Sequence, residues 1–244
     1  MTLFSVHKLN QSRRPKIRGR TLDTVRSKLD TVKLKIEGTR VTAVQKTVAR
    51  SAESPRRALL YASLDLIEAE GLEGFSMREV ARRAGVSHQA PYHHFPDRES
   101  ILAAIVAEGF ERLRADSLAA VEAESDPACR YHALGRAYVK FALSNPAHFK
   151  LMFRSELVRE DKHEEAKACA QSAFDVLVGI VDDVAITRTG ERDPALIFAS
   201  WSMVHGLATL MLEGKLDKHF GASMDLRLAG ADSVLKVLER VVKP

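Results

Sequence analysis

Between Ser87 and His94 the chain reads Ser-His-Gln-Ala-Pro-Tyr-His-His, a run of polar and aromatic groups without a single carboxylate. Glutamine can bond adenine bidentately in a major groove, and Tyr and His can reach phosphate oxygens or base edges. Ala90 with Pro91 offers apolar contact to a thymine methyl. A solvated helix face usually mixes in acids, so a surface that avoids them suits a polyanion. Read singly, His93 and His94 can equally be plain exposed or structural side chains. Neither a metal nor a cofactor is expected.

Such groups work only if something holds them outward. Ser76 and Glu79 form a capping box, and Met77, Val80, Ala81 and Ala84 fall on one apolar stripe of a helix over 77–84. Gly85 can take the left-handed conformation that ends this helix. Val86 can plug the angle between two helices, and Ser87 can cap a second one over 88–94. This is the grammar of a helix-turn-helix, with a first helix held against the body and a short second one reaching into a groove.

The surrounding chain supports helices throughout. A polar residue followed by proline recurs at Ser54-Pro55, Asp126-Pro127, Asn145-Pro146 and Asp193-Pro194. At the first helical position proline loses an N–H that had no partner, while the preceding side chain caps an orphan amide. The spacing predicts helices over 55–70, 77–84, 88–94, 98–120, 127–143, 146–153, 161–187, 194–212 and 224–242. No period-two strands separate them, so the fold class is all-α. Aromatic residues are only 6% against 28% charged, which also disfavours sandwiches and barrels.

The formal charge of +5 is unevenly placed. Residues 1–54 hold 13 Lys/Arg against 4 Asp/Glu, while 55–244 hold 24 against 28. The protein is thus a mildly acidic body with a basic arm. Within the arm Leu22, Val25, Leu29, Val32 and Ile36 suit an amphipathic helix, yet Val32, Leu34 and Ile36 alternate with lysines as a strand would. The arm reads as a solvated, largely disordered extension, with a misassigned start or a DNA-tracking role as the alternatives. Cys129 and Cys169 cannot build a disulfide framework or a cysteine zinc site. No secretory segment is evident near Met1, so a cytoplasmic protein without a membrane partner is expected. The chain has no Gly-rich phosphate loop, HExxH or G-x-S-x-G, which argues against an enzyme.

The run Met77-Arg-Glu-Val-Ala-Arg-Arg-Ala-Gly-Val-Ser87, then Tyr92-His-His-Phe95, then Arg98-Glu-Ser-Ile-Leu102 resembles the N-terminal domain of the TetR family of transcriptional regulators. The likeness runs from about Pro55 to Phe110. From about residue 126 the chain more loosely resembles the C-terminal domain of a TetR subgroup named for a Trp-His-Gly pattern, here Trp201, His205 and Gly206. The first 54 residues match nothing in the family pattern. The resemblance implies phosphate contacts from Arg56, Arg57, Ser76 and Arg98, with Tyr92 and His94 also on the backbone. Base reading falls to Ser87, His88, Gln89, Ala90 and His93, and Phe95 is core. It also implies domains at 55–110 (DNA binding) and 111–244 (ligand binding and dimerisation).

Apart from any family, the run from Pro194 to Leu212 is uncharged. Ile197, Trp201, Val204, Ala208 and Met211 share one stripe, and Phe198, Leu207, Leu210 and Leu212 cover other faces. Such a helix should be buried nearly all round, by the core and by a second subunit. The last helix (Val234, Leu235, Leu238, Val241, Val242) would lie beside it in a homodimer interface. Phe149, Met152, Phe153, Phe174, Phe198, Trp201 and Met203 can line a ligand pocket around His205, although the same residues can be ordinary core. The expected function is a repressor that leaves a palindromic double-stranded DNA operator when an apolar small molecule binds. An activator, or a DNA-binding protein with no ligand, is the alternative.

Overall fold

The computed structural model describes residues 54–242 apart from residue 160. The basic arm, residues 1–53, lies outside the described residues, as do the side chains of Leu238, Val241 and Val242. Nine α-helices are present among the described residues, and no strand. They are α1 (Pro55–Glu70), α2 (Met77–Ala84), α3 (Arg98–Glu122), α4 (Pro127–Ser144), α5 (Pro146–Met152), α6 (Glu164–Thr189), α7 (Pro194–Leu212), α8 (Asp217–Phe220) and α9 (Met224–Val242). The all-α expectation holds, and each proline-marked start falls where it was predicted.

Side-chain caps are seen at two of those starts. Asp126 accepts from the Cys129 amide at 2.9 Å, and Asp193 accepts from those of Ala195 and Leu196. Asn145 does not cap α5. Its side-chain amide instead donates back to the Phe141 carbonyl at 3.1 Å, satisfying the end of α4.

Leu59, Leu66, Val80, Phe95, Ile101, Leu102 and Ile105 close a core beneath α1, α2 and the start of α3. Helix α3 then continues unbroken to Glu122, so the proposed boundary between residues 110 and 111 falls inside one helix. Along it pack α6 and α4, while α5 lies against both α1 and α3. Helix α4 is in turn covered by α9 and α7.

One expectation needs correction. The second helix of the motif is a 3₁₀ turn, Ala90–His93, and not a helix over 88–94. Pro91 has no amide to donate, and three bonds run three residues back, Ala90 to Ser87 at 3.0 Å, Tyr92 to Gln89 at 3.1 Å and His94 to Pro91 at 3.0 Å, with one four back, Phe95 to Pro91 at 2.9 Å, at the end. Helix α7 was expected to meet the core on one side and a second subunit on the other, and in the single chain one side is buried. Ile197, Val204, Leu207, Ala208 and Met211 are buried, but Phe198, Met203 and Leu210 remain 37%, 42% and 44% exposed. The core of this chain covers only one side of it.

Candidate nucleic-acid interface

Helix α2 is stopped where the sequence says it must be. Gly85 sits at φ +71°, its amide bonded to the Arg82 carbonyl at 3.2 Å, and the Val86 amide reaches the Ala81 carbonyl at 3.0 Å. Those two bonds make a Schellman stop, and the left-handed residue turns the chain sharply away from α2. Ser76 caps the other end by accepting from the Glu79 amide at 3.2 Å. The capping box is only half made, because the Glu79 carboxylate turns to Arg82 and Arg83. Those guanidiniums hold the Glu79 carboxyl at a pKa of about 2, and its charge is spent inside α2.

The turn therefore presents Ser87, His88, Gln89, Tyr92, His93 and His94 as exposed side chains, with Ala90 half-buried. Tyr92 is 49% exposed. Gln89 and His88 lie side by side, amide nitrogen to ring Nε2 at 3.2 Å. Three details differ from expectation. Val86 is 39% exposed and plugs nothing; Phe95, at 3%, and Pro91 are the residues that anchor the turn to the core. Pro91, being buried, is not free to meet a thymine methyl. Ser87 contributes its carbonyl to the turn, with no hydroxyl bond among the described residues. Asp97, four residues after His93, caps α3 by accepting from the Ser100 amide and hydroxyl, both at 2.7 Å.

The expected phosphate ligands flank this surface. Arg56 lies over the Phe95 ring at 5.1 Å, and Arg57 over Tyr61 at 5.8 Å. Arg98 donates to the Leu72 carbonyl at 3.0 Å and covers Phe75 at 5.6 Å. All three are exposed. Arg78 and Arg82 on α2 are exposed too and did not figure among the expected contacts; Arg82 is paired with Glu79.

A second cluster gathers where α4, α5, α6 and α7 meet. The His205 ring stacks on Phe149 at 5.3 Å and takes the edge of Phe153 at 4.6 Å; Trp201 lies 6.3 Å away and itself meets Phe174 at 5.9 Å. Phe149 and Met152 are buried in the core, whereas Phe153, Phe174, Trp201 and His205 are half-buried. Tyr138, unnoticed in the sequence, bonds His205 Nδ1 at 2.8 Å. Its signal was there: Tyr131 and Tyr138 stand two helical turns apart on α4 and both bond α7, Tyr131 through Ser200 at 2.7 Å. Below the cluster, burial pushes the His148 pKa down to about 4. Among the described residues no group of three or more His, Cys, Asp or Glu converges on a metal position.

Fold and surface together define an all-α protein with an outward helix-turn-helix and a larger helical domain. Residues 59–105 match the family model "Bacterial regulatory proteins, tetR family", and 131–231 match "Tetracyclin repressor-like, C-terminal domain". The chain belongs to the TetR family. The second match takes in Trp201, His205 and Gly206, and its description names no subgroup. The HTH-type transcriptional regulator BetI of Rhizobium meliloti (strain 1021) is 36% identical over 110 residues, which take in 44% of this chain and 54% of BetI. The match therefore spans about half the length of that curated relative. A solved protein of unknown function from Rhodococcus sp. RHA1 is 33% identical, with a TM-score of 0.62 over 78% of this chain and 94% of its own. AibR, solved with isovaleryl coenzyme A and operator DNA, shares the fold at 21% identity and a TM-score of 0.60, over 75% of this chain and 96% of its own.

Proposed function

We propose that this protein is a dimeric, cytoplasmic DNA-binding transcriptional regulator, a repressor that leaves a palindromic operator when a small apolar ligand occupies the C-terminal domain. The observation that supports the reading best is the acid-free, exposed surface from Ser87 to His94, held out by a Schellman-stopped helix and anchored by Phe95 and Pro91. Gln89 and His88 are its base readers; Arg56, Arg57 and Arg98 position it on the backbone.

Dimerisation supplies the second half-site. Helix α7 is long and apolar enough to cross a membrane, but its buried face packs into this domain. The apolar side chains it leaves exposed, with Leu226 (52%) and Val237 (56%) on α9, suit a second copy better than a bilayer. AibR pairs the same fold with an acyl coenzyme A ligand and DNA. In this chain α5 joins the two functions: Phe149 lies under the aromatic cluster while the helix packs on α1 and α3. Glu99, at the start of α3, also binds Arg159 through its backbone amide at 3.0 Å and through its guanidinium. A ligand that favours one placement of α5 over another thereby favours one spacing of the reading surfaces, and only that differential affinity can lower DNA binding.

The test is a duplex selected from random sequence, followed by titration of Gln89→Ala. The variant is expected to lose about 1–3 kcal/mol on the selected site and little on random DNA. Equal loss on both would move Gln89 to the backbone, and failure to select any sequence would sink the regulator reading.

A further inference from the structure

Three of the nine histidines in this chain, His88, His93 and His94, fall within seven consecutive residues, and all three are exposed on the reading turn. Elsewhere in the described chain, His132, His148 and His163 each bury a ring nitrogen, His205 is half-buried and His219 stands on α8. Imidazole is the side chain whose charge changes between pH 5 and 8. The turn thus gathers, on one surface, three groups that can each add a positive charge where the partner is a polyanion. The charged groups on the helices around it are fixed in that range. On α2 the Glu79 carboxyl is held at a pKa of about 2 by Arg82 and Arg83. At the start of α3, the hydroxyl and amide of Ser100 hold the Asp97 carboxyl below the usual carboxylate range, and Arg159 holds that of Glu99 at about 2. Each of these carboxylates is engaged by its own partners. The arginines nearby, Arg56 and Arg57 on α1, Arg78 on α2 and Arg98 on α3, keep their charge at every pH of interest. His163 lies 3.4 Å from the Glu99 carboxylate, with its Nε2 buried and out of reach of DNA.

We propose that DNA binding by this protein is proton-linked through His88, His93 and His94, so that the complex takes up protons and the grip on DNA tightens as the pH falls from about 8 towards about 6. This rests on the DNA-binding reading above and adds a regulating ligand, the proton. The sign follows from electrostatics. A phosphate beside an imidazole favours its charged form, so a histidine held against DNA keeps its proton to a higher pH than the same histidine in water. Where the complex binds more protons than the free protein, acid favours the complex. A charged imidazole also donates from both ring nitrogens, whereas a neutral one donates from one and accepts at the other, so each proton adds a donor as well as a charge. A dimer carries the turn twice, and the linkage doubles with it. His148 plays no part in this range, because burial holds its pKa down to about 4.

The full-length protein is titrated onto the selected duplex and onto random DNA across that pH range, each at several salt concentrations. Affinity for both is expected to rise at least about tenfold from the alkaline to the acid end, since a pKa raised by about one unit at each histidine is worth that much. The salt slope should steepen by about 0.9 for every imidazole that becomes a phosphate ligand. The triple variant His88→Asn, His93→Asn, His94→Asn keeps hydrogen-bonding groups at each position but nothing that titrates, and should lose the pH dependence. An affinity that is flat with pH in the unmodified protein, or a rise that persists in the triple variant, would overturn the proposal while leaving the DNA reading in place. Absence of binding to either duplex at any pH would overturn the DNA reading itself. Histidine NMR covers the case of a triple variant that fails to fold or to bind. In the unmodified protein the ring C–H signals of His88, His93 and His94 should titrate at higher pH with the duplex present than without it. Titration curves that the duplex leaves in place would end the proposal.

Discussion

The two ends of this molecule place polar and apolar groups in opposite ways. Around α1, α2 and the 3₁₀ turn, the polar chemistry faces outward and the interior is apolar: Ser87 to Gln89 and Tyr92 to His94 are exposed over Leu59, Leu66, Val80 and Phe95. Among α4, α5, α7 and α9 the order is inverted. His148 and Ser200 are buried and Tyr138 and His205 half-buried, while Phe198, Met203, Leu210, Leu226 and Val237 lie exposed. An exposed polar surface costs nothing in water and waits for a charged partner. Buried polar groups and bare apolar faces both cost stability, so each points to an interaction that offsets it. The DNA end covers most of its apolar groups within the single chain, and the other end leaves several of them bare.

The sharpest way to break this contrast is Leu210→Asp. On a lone chain that position is 44% exposed, and the charge would stay hydrated. In a dimer interface it would be desolvated without a counter-ion, at a cost of several kcal/mol. Sedimentation is expected to show folded monomers that no longer hold a palindromic duplex. A stable dimer carrying this change would place the interface elsewhere.

Acid titration addresses the buried histidines. His148, 4% exposed, has its pKa lowered from the usual 6.5 to about 4, by burial and then by Arg112. Between those values the unfolded chain binds the proton and the folded chain does not. His148 thus withholds nothing from stability above pH 6.5 and destabilises progressively as the pH falls towards 4, by about 3 kcal/mol in all. Glu79 and Glu99, with pKa values lowered to about 2, act in a separate window, losing their contributions below about pH 4.5. Urea midpoints of His148→Phe should fall less steeply from pH 6.5 to 4.5 than those of the unmodified protein. Parallel curves would mean that His148 takes up its proton without cost.

The smallest expected effect lies at the DNA end. Arg98 already donates to the Leu72 carbonyl, so it can be a phosphate ligand, a brace for the α1–α2 loop, or both. As a phosphate ligand, Arg98→Ala weakens selected and random DNA alike and lowers the salt slope by about one. An unchanged slope with a lower melting temperature would leave it a brace only.

Much of the DNA end was legible because its determinants are local. The cap at Ser76, the stop at Gly85 and the apolar stripe of α2 all act within seven residues, as do the caps at Asp126 and Asp193 elsewhere in the chain, and periodicity reads such distances directly. Even there, the burial of Pro91 and the exposure of Val86 depended on how the turn sits against α1 and α3. The aromatic cluster was half legible: Trp201 and His205 stand one turn apart on α7, but Tyr138, which bonds His205 Nδ1, is 67 residues away. The same holds for Arg98 with Leu72, 26 residues apart, and for Glu99 with Arg159, 60 apart. Residue types and spacing determine which helices form and which groups they carry, since those choices are made by backbone bonds and side chains within a turn or two. Which face of α7 is left bare, and which nitrogen of His205 meets Tyr138, is decided only when separate helices pack, because a side chain's polar partner is whatever the tertiary fold brings within 3 Å of it.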